Sequence, residues 1–143
     1  MTRFFILALI PAIYAALPLF GMRFIPTHDG EYHIIRFWQF AKMVSEGYLF
    51  PRWASDLNSG YGLPLFLFHY PWPNYVGSLF HAVGVTFVDS VKLTLASGYL
   101  IAIVWCFLWL RKIFGNTAAC IGTIICSMVP YWFVDIYVRG SVG

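Results

Sequence analysis

Ionisable side chains are scarce in this chain, and the place where they crowd is the natural starting point. The stretch Pro26-Thr27-His28-Asp29-Gly30-Glu31-Tyr32-His33-Ile34-Ile35-Arg36 sets two carboxylates, two imidazoles and a guanidinium within nine residues, directly after a long apolar run. Such groups are unfavourable near lipid, roughly 2.5–3.5 kcal/mol each at a bilayer centre on insertion scales, so a cluster beside an apolar segment reads as a site. Asp29 leads the set. Its carboxylate can take a proton as general base, or bind a hard cation through oxygen. Asp29-Gly30 reads equally as an N-cap, because a short side-chain acceptor satisfies a free backbone N–H at a helix start. Both readings stand open, and one Asp can serve both.

The surroundings are those of a membrane protein. The 143 residues are 60% hydrophobic, 20% aromatic and 10% charged, with a mean hydropathy of +0.73, far from the average of soluble domains. A formal net charge of +3, scattered along the chain, gives no argument for nucleic acid. Cys106, Cys120 and Cys126 lie in apolar runs without Cys-x-x-Cys spacing, and read as reduced thiols packed as small hydrophobes.

The expected fold class is an all-α integral membrane protein with three transmembrane helices and a large extracytoplasmic first loop. The first helix covers 4–22, the uncharged run from Phe4 to Met22, which at 1.5 Å per residue crosses a core of about 30 Å. Pro11 and Pro18 are tolerable kinks there, and the run reads as a retained anchor rather than a cleaved leader. The extracytoplasmic loop spans 23–90 and carries interfacial helices at about 31–46 and 74–88. In the first of these, Ile34, Phe37, Trp38, Phe40, Ala41 and Val44 share an apolar face, while Glu31, Arg36, Gln39, Lys42 and Glu46 share a polar one. Ile35 and Met43 fall among the polar residues, and Gly47 ends the helix. Residues 51–64 are then dense in turn formers, and 66–73 are aromatic and broken by proline. Across the uncharged stretch from Leu57 to Val88, three prolines and several glycines argue against one spanning helix. A second span at 91–110, a cytoplasmic loop at 111–116 turning at Phe114-Gly115-Asn116, and a third span at 117–134 follow. The start of a second external loop occupies 135–143. This places the N-terminus in the cytoplasm of a multi-pass cell-membrane protein. Basic residues flank the helix ends equally on both sides, Arg3, Arg111 and Lys112 against Arg23, Lys92 and Arg139, so helix length decides the topology.

That topology puts the 26–36 cluster, the aromatic loop and Arg139 on one side. Arg139 and Arg52 are the guanidiniums able to fork onto a phosphate. Tyr61 and Tyr70, with Trp53 and Trp72, can stack on a sugar ring or simply anchor in the interface. His33 falls on the apolar arc of its helix, as a packed imidazole would, and His69 and His81 carry no spacing signal.

The order of these residues resembles the start of the GT-C superfamily of membrane glycosyltransferases. In particular it is similar to a bacterial and archaeal group of large membrane proteins sometimes labelled 6-pyruvoyl-tetrahydropterin synthase-related. His28-Asp29 with His33 carries the likeness, followed by Gly47, Pro51-Arg52-Trp53 and Gly60-Tyr61-Gly62 with Pro64. Tyr70-Pro71 with Pro73 and Tyr137-Val138-Arg139-Gly140 complete it. The resemblance implies a catalytic or metal-binding Asp29 and a divalent cation, Mg or Mn. It also implies a polyprenyl-phosphate-linked sugar donor, with His28, His33, Arg52, Tyr61, Tyr70 and Arg139 as substrate-binding candidates. A second acidic residue shortly after the Arg-Gly belongs to that pattern and is not matched, since Asp135 precedes it. The expected function is therefore the N-terminal part of a membrane glycosyltransferase acting on an extracytoplasmic acceptor and inactive alone. The alternative is a non-catalytic multi-pass protein, a transporter or assembly subunit, whose charged cluster only orients helices.

Overall fold

The computed structural model describes residues 2–21, 23 and 26–142; Met22, the expected end of the first helix, and Gly143 lie outside the described residues. The chain is all-helical, and among the described residues the only β feature is one bridge between Ala54 and Leu63. Among the described residues two helices are long and apolar enough to cross a membrane, Thr2–Gly21 and Phe87–Ser127.

The first comprises α1 (Thr2–Ala16) and a short α2 (Pro18–Gly21). Pro11 is accommodated inside α1, and the break falls at Leu17 instead. Pro18 lacks an N–H and crowds the residue before it out of the helical region. The buried face is a run of small residues, Ala8, Ala12, Ala15 and Ala16, ending at Leu19. Alanines a turn apart let two backbones approach closely. Ala8 packs with Phe107 and Ala119, whereas Ala12 to Leu19 pack with Val91, Leu95, Tyr99 and Ile103. Those contacts make α1 antiparallel to the first arm of the long helix α6 (Phe87–Ser127).

α6 begins earlier than the expected 91, for a readable reason. Thr86 Oγ1 accepts the Asp89 N–H at 3.2 Å and donates to the Asp89 carboxylate at 2.9 Å, a reciprocal cap. Phe87 and Val88 thus belong to α6. The expected interfacial helix 74–88 is shorter, α5 (Trp72–Ala82), closed by the turn at Gly84. From Phe87 to the break at Gly115 the arm is roughly 42 Å long at 1.5 Å per residue. Gly115, at φ 83° and ψ 179°, has a conformation closed to other residues, and there the chain turns back. The Tyr99 hydroxyl donates to the Ser127 carbonyl at 2.8 Å, which fastens the returning arm to the first.

The returning arm does not run unbroken to 134 as expected. It stops at Met128, with Val129 extended before Pro130, and resumes as α7 (Pro130–Phe133) and a π-type turn over Val134–Arg139.

The remaining helices cover one end of this bundle. α3 (Gly30–Ser45) packs on α5 and α6, and Tyr48 and Gly47 donate their backbone N–H groups to Met43 and Val44 to close it. Phe40 sits edge-on to Phe66 of α4 (Leu65–Phe68) and to Tyr75, with ring centroids 5.1 and 4.8 Å apart.

The buried face of α3 corrects the sequence reading. His33, Arg36, Phe37, Gln39, Phe40 and Met43 are buried, while Trp38 and Ile35 are exposed. Gln39 is inside because the 54–63 loop folds over it. Its Oε1 accepts the Asp56 N–H at 3.2 Å and its Nε2 donates to Ser55 Oγ at 3.3 Å. Lys42 stays at the surface and pairs with Asp56 at 2.6 Å.

Candidate functional site

Two chain segments far apart in sequence meet at the covered end of the bundle. The His28 N–H donates to the Val138 carbonyl at 3.1 Å and the Asp29 N–H to the Arg139 carbonyl at 2.9 Å. Gly140 makes this approach possible. It is left-handed (φ 66°, ψ 32°), its own N–H returns to the Asp135 carbonyl at 2.8 Å, and a β-carbon there would collide with Thr27.

Around this junction opens a cleft of about 320 Å³ lined by Asp29, Tyr32, His33, Arg36, His69, Tyr70, Arg139 and Ser141. Asp29 holds the N-cap position of α3, yet its side chain makes no capping bond, so the carboxylate is left to face the cleft. His33 is 3% exposed and its Nε2 accepts the Val142 N–H at 3.4 Å. That bond puts the ring proton on Nδ1, which is buried without a partner. Burial, with the Arg36 charge behind it, pulls the His33 pKa down to about 4, so the ring is neutral at physiological pH.

Arg36 is the unusual member. It is 2% exposed, and neither its Nε nor its Nη2 has a hydrogen-bond partner. The Tyr70 ring centroid lies 5.8 Å from its guanidinium carbon, within cation–π range. Burial lowers its pKa from the ordinary value, while Tyr70 and Asp29 act to raise it. His69 is pushed down as well, by burial and then by Arg36, and its ring lies edge-on to Tyr70 at 5.6 Å. Asn74, fully buried at the start of α5, holds this corner by donating to the Tyr70 carbonyl at 3.3 Å. Arg139 is half-exposed and bonded to the Asp135 carboxylate at 3.1 Å.

No family model, curated protein or solved structure matches this chain. The cleft geometry therefore carries the functional argument.

Of the residues singled out in the sequence, Asp29, His33, Tyr70 and Arg139 line this cleft. His28, Arg52 and Tyr61 do not; they are exposed, Tyr61 at 83%. Arg36, His69, Tyr32 and Ser141 join without having been selected. Arg36 was within the charged cluster but assigned to the wet face of its helix, and His69 has no local pattern that marks it.

Hard divalent cations need several oxygen donors. Here Asp29, His33 and His69 share the lining with Arg36 and Arg139, and Arg139 is already paired with Asp135. A lone carboxylate is a sparse oxygen set for Mg or Mn, whereas the unbonded Nε and Nη2 of Arg36 suit an anion.

Proposed function

We propose that this chain is the N-terminal module of a membrane glycosyltransferase that moves a sugar from a polyprenyl-phosphate carrier to an acceptor on the extracytoplasmic side. The observation that carries the reading is the meeting of Asp29 with Arg36 and Arg139 in one polar cleft, at the end of a bundle otherwise clad in apolar residues. Ile6, Ile10, Ile13, Ile101, Trp105, Trp109, Ile121 and Ile125 all point outward. Only 22% and 33% of the two most apolar windows are buried, which supports lipid rather than protein as their surroundings. In this reading the chain crosses three times, the returning arm with α7 and the π-type turn being the third pass. The N-terminus and Gly115 are cytoplasmic.

In the reaction, the acceptor hydroxyl attacks the anomeric carbon and transfers its proton to Asp29. The bond between that carbon and the phosphate oxygen breaks, and the phosphate leaves with the electron pair. Arg36 and Arg139 balance the charge that grows on the leaving group, the kind of fixed stabilisation that dominates many active sites. His33, neutral and packed, shapes the wall and takes no proton.

The test is a transfer assay on the protein that carries this chain, reconstituted with a panel of polyprenyl-phosphate sugars. Release of free polyprenyl phosphate with one donor is the expected result. No turnover with any donor, with the protein folded, would remove the enzymatic reading.

A further inference from the structure

Arg36 lines two cavities, and they differ in character. One is the polar cleft with Asp29, His69 and Arg139. The other, about 310 Å³, is walled by Ile35, Leu57, Leu63 and Leu65 with Asn58 at its edge. The two share Tyr32 and Arg36 and nothing else.

We infer that Arg36 is the joint of a bipartite site for an amphiphilic phosphate ester, its phosphate on the Arg36 guanidinium and the adjoining apolar chain against Ile35, Leu57, Leu63 and Leu65. The unpartnered atoms are Nε and Nη2, and both are buried. These two N–H groups form the side-on edge of the guanidinium, the fork that matches two oxygens of one phosphate. Among the described residues no carboxylate lies within ion-pair distance of it. A guanidinium stays charged at any physiological pH, so one whose Nε and Nη2 edge is buried without a hydrogen-bond partner is a site prepared for an anion. The Tyr70 ring lies beside the guanidinium, 5.8 Å from its central carbon. The neighbouring wall of leucines has no use for a second charge, but it suits the first carbons of a hydrocarbon chain. Free phosphate would fill one cavity and leave the other empty.

This deepens the proposed function and takes its isoprenoid probe from it. Binding needs no turnover, however, so transfer can fail while this inference stands, and the reverse. The experiment measures equilibrium binding of inorganic phosphate, farnesyl phosphate and farnesol to the full chain in nanodiscs. Farnesyl phosphate is expected to bind at least about tenfold more tightly than either of the others, as removal of a well-placed polar or apolar group usually costs that much. Arg36→Gln should reduce farnesyl phosphate to the level of farnesol. Leu63→Ala should weaken farnesyl phosphate about tenfold and leave inorganic phosphate unchanged. Equal binding of farnesyl phosphate and farnesol to the wild-type chain would overturn the inference. So would farnesyl phosphate binding that survives Arg36→Gln in a folded protein.

Discussion

The Asp29 backbone N–H donates to the Arg139 carbonyl at 2.9 Å, tying the start of α3 to the last turn of the chain. The tie sets the Asp29 carboxylate and the Arg139 guanidinium on the same cleft, while Arg139 pairs with Asp135. Gly140 is the hinge of that arrangement, since Thr27 occupies the space where a β-carbon would go.

Gly140→Ala should therefore destabilise the protein by about 1–3 kcal/mol, through both the left-handed backbone and the collision. The amides of His28 and Asp29 should exchange faster with deuterium in that variant. Unchanged protection at both amides would show that the tie does not depend on Gly140.

The face of α3 gives a second prediction. Gln39 is fully buried and holds the 54–63 loop by two hydrogen bonds, whereas Lys42 and Asp56 pair at the surface. Gln39→Ala should cost about 1–3 kcal/mol by leaving the Asp56 N–H unpartnered. Lys42→Ala should have the smaller effect, and that effect should shrink with salt. A melting experiment on both variants at two salt concentrations checks the order; the opposite order would contradict the burial of Gln39.

What the sequence revealed here followed how local each signal is. The start of α3 after Asp29, its end at Gly47 and the reversal at Gly115 were legible because each rests on a few neighbouring residues. The face that α3 buries was not. Its apolar arc runs through Trp38, which is exposed, while Arg36 and Gln39 went inside because α5 and the 54–63 loop pack on that side. Two local signals were present but unread: Thr86 with Asp89, which starts α6 at Phe87, and Pro130, which breaks the returning arm at Val129. Asp29 was singled out from charge density, whereas Arg36 and His69 join its cleft only through tertiary packing.

A pH dependence follows from His33. Its folded pKa of about 4 lies below the ordinary 6.5, with burial the main cause, then Arg36, opposed by Asp29, and His69 adding slightly. Between these values the unfolded chain binds more protons than the folded one, so stability rises with pH across that window. The contribution is complete above about pH 6.5 and is lost as pH falls toward 4, by up to about 3 kcal/mol. Melting temperature against pH should show this slope, and His33→Gln should flatten it, leaving the part due to His69. A wild-type curve no steeper than that of His33→Gln would contradict it.

The proposed topology predicts that positions 28 and 116 lie on opposite sides of the membrane, since the α6 arm between Phe87 and Gly115 is longer than the hydrocarbon core. Single cysteines placed at His28 and Asn116, in a background lacking the native three, should react differently with an impermeant reagent on intact cells. Label should reach 28 and not 116. Equal labelling would break the topology and with it the extracytoplasmic site.

The most direct measurement concerns Asp29→Asn in the protein that carries this chain. Asp29 sits at the N-cap without making a capping bond, so its carboxylate contributes little to the fold, and Asn caps as well as Asp in any case. The substitution keeps the shape and removes the charge and the proton-accepting power. Transfer from a polyprenyl-phosphate sugar should fall by about 10²–10⁴-fold, with the melting temperature close to wild type. An Asp29→Asn protein that transfers sugar at the wild-type rate would contradict the account at its centre.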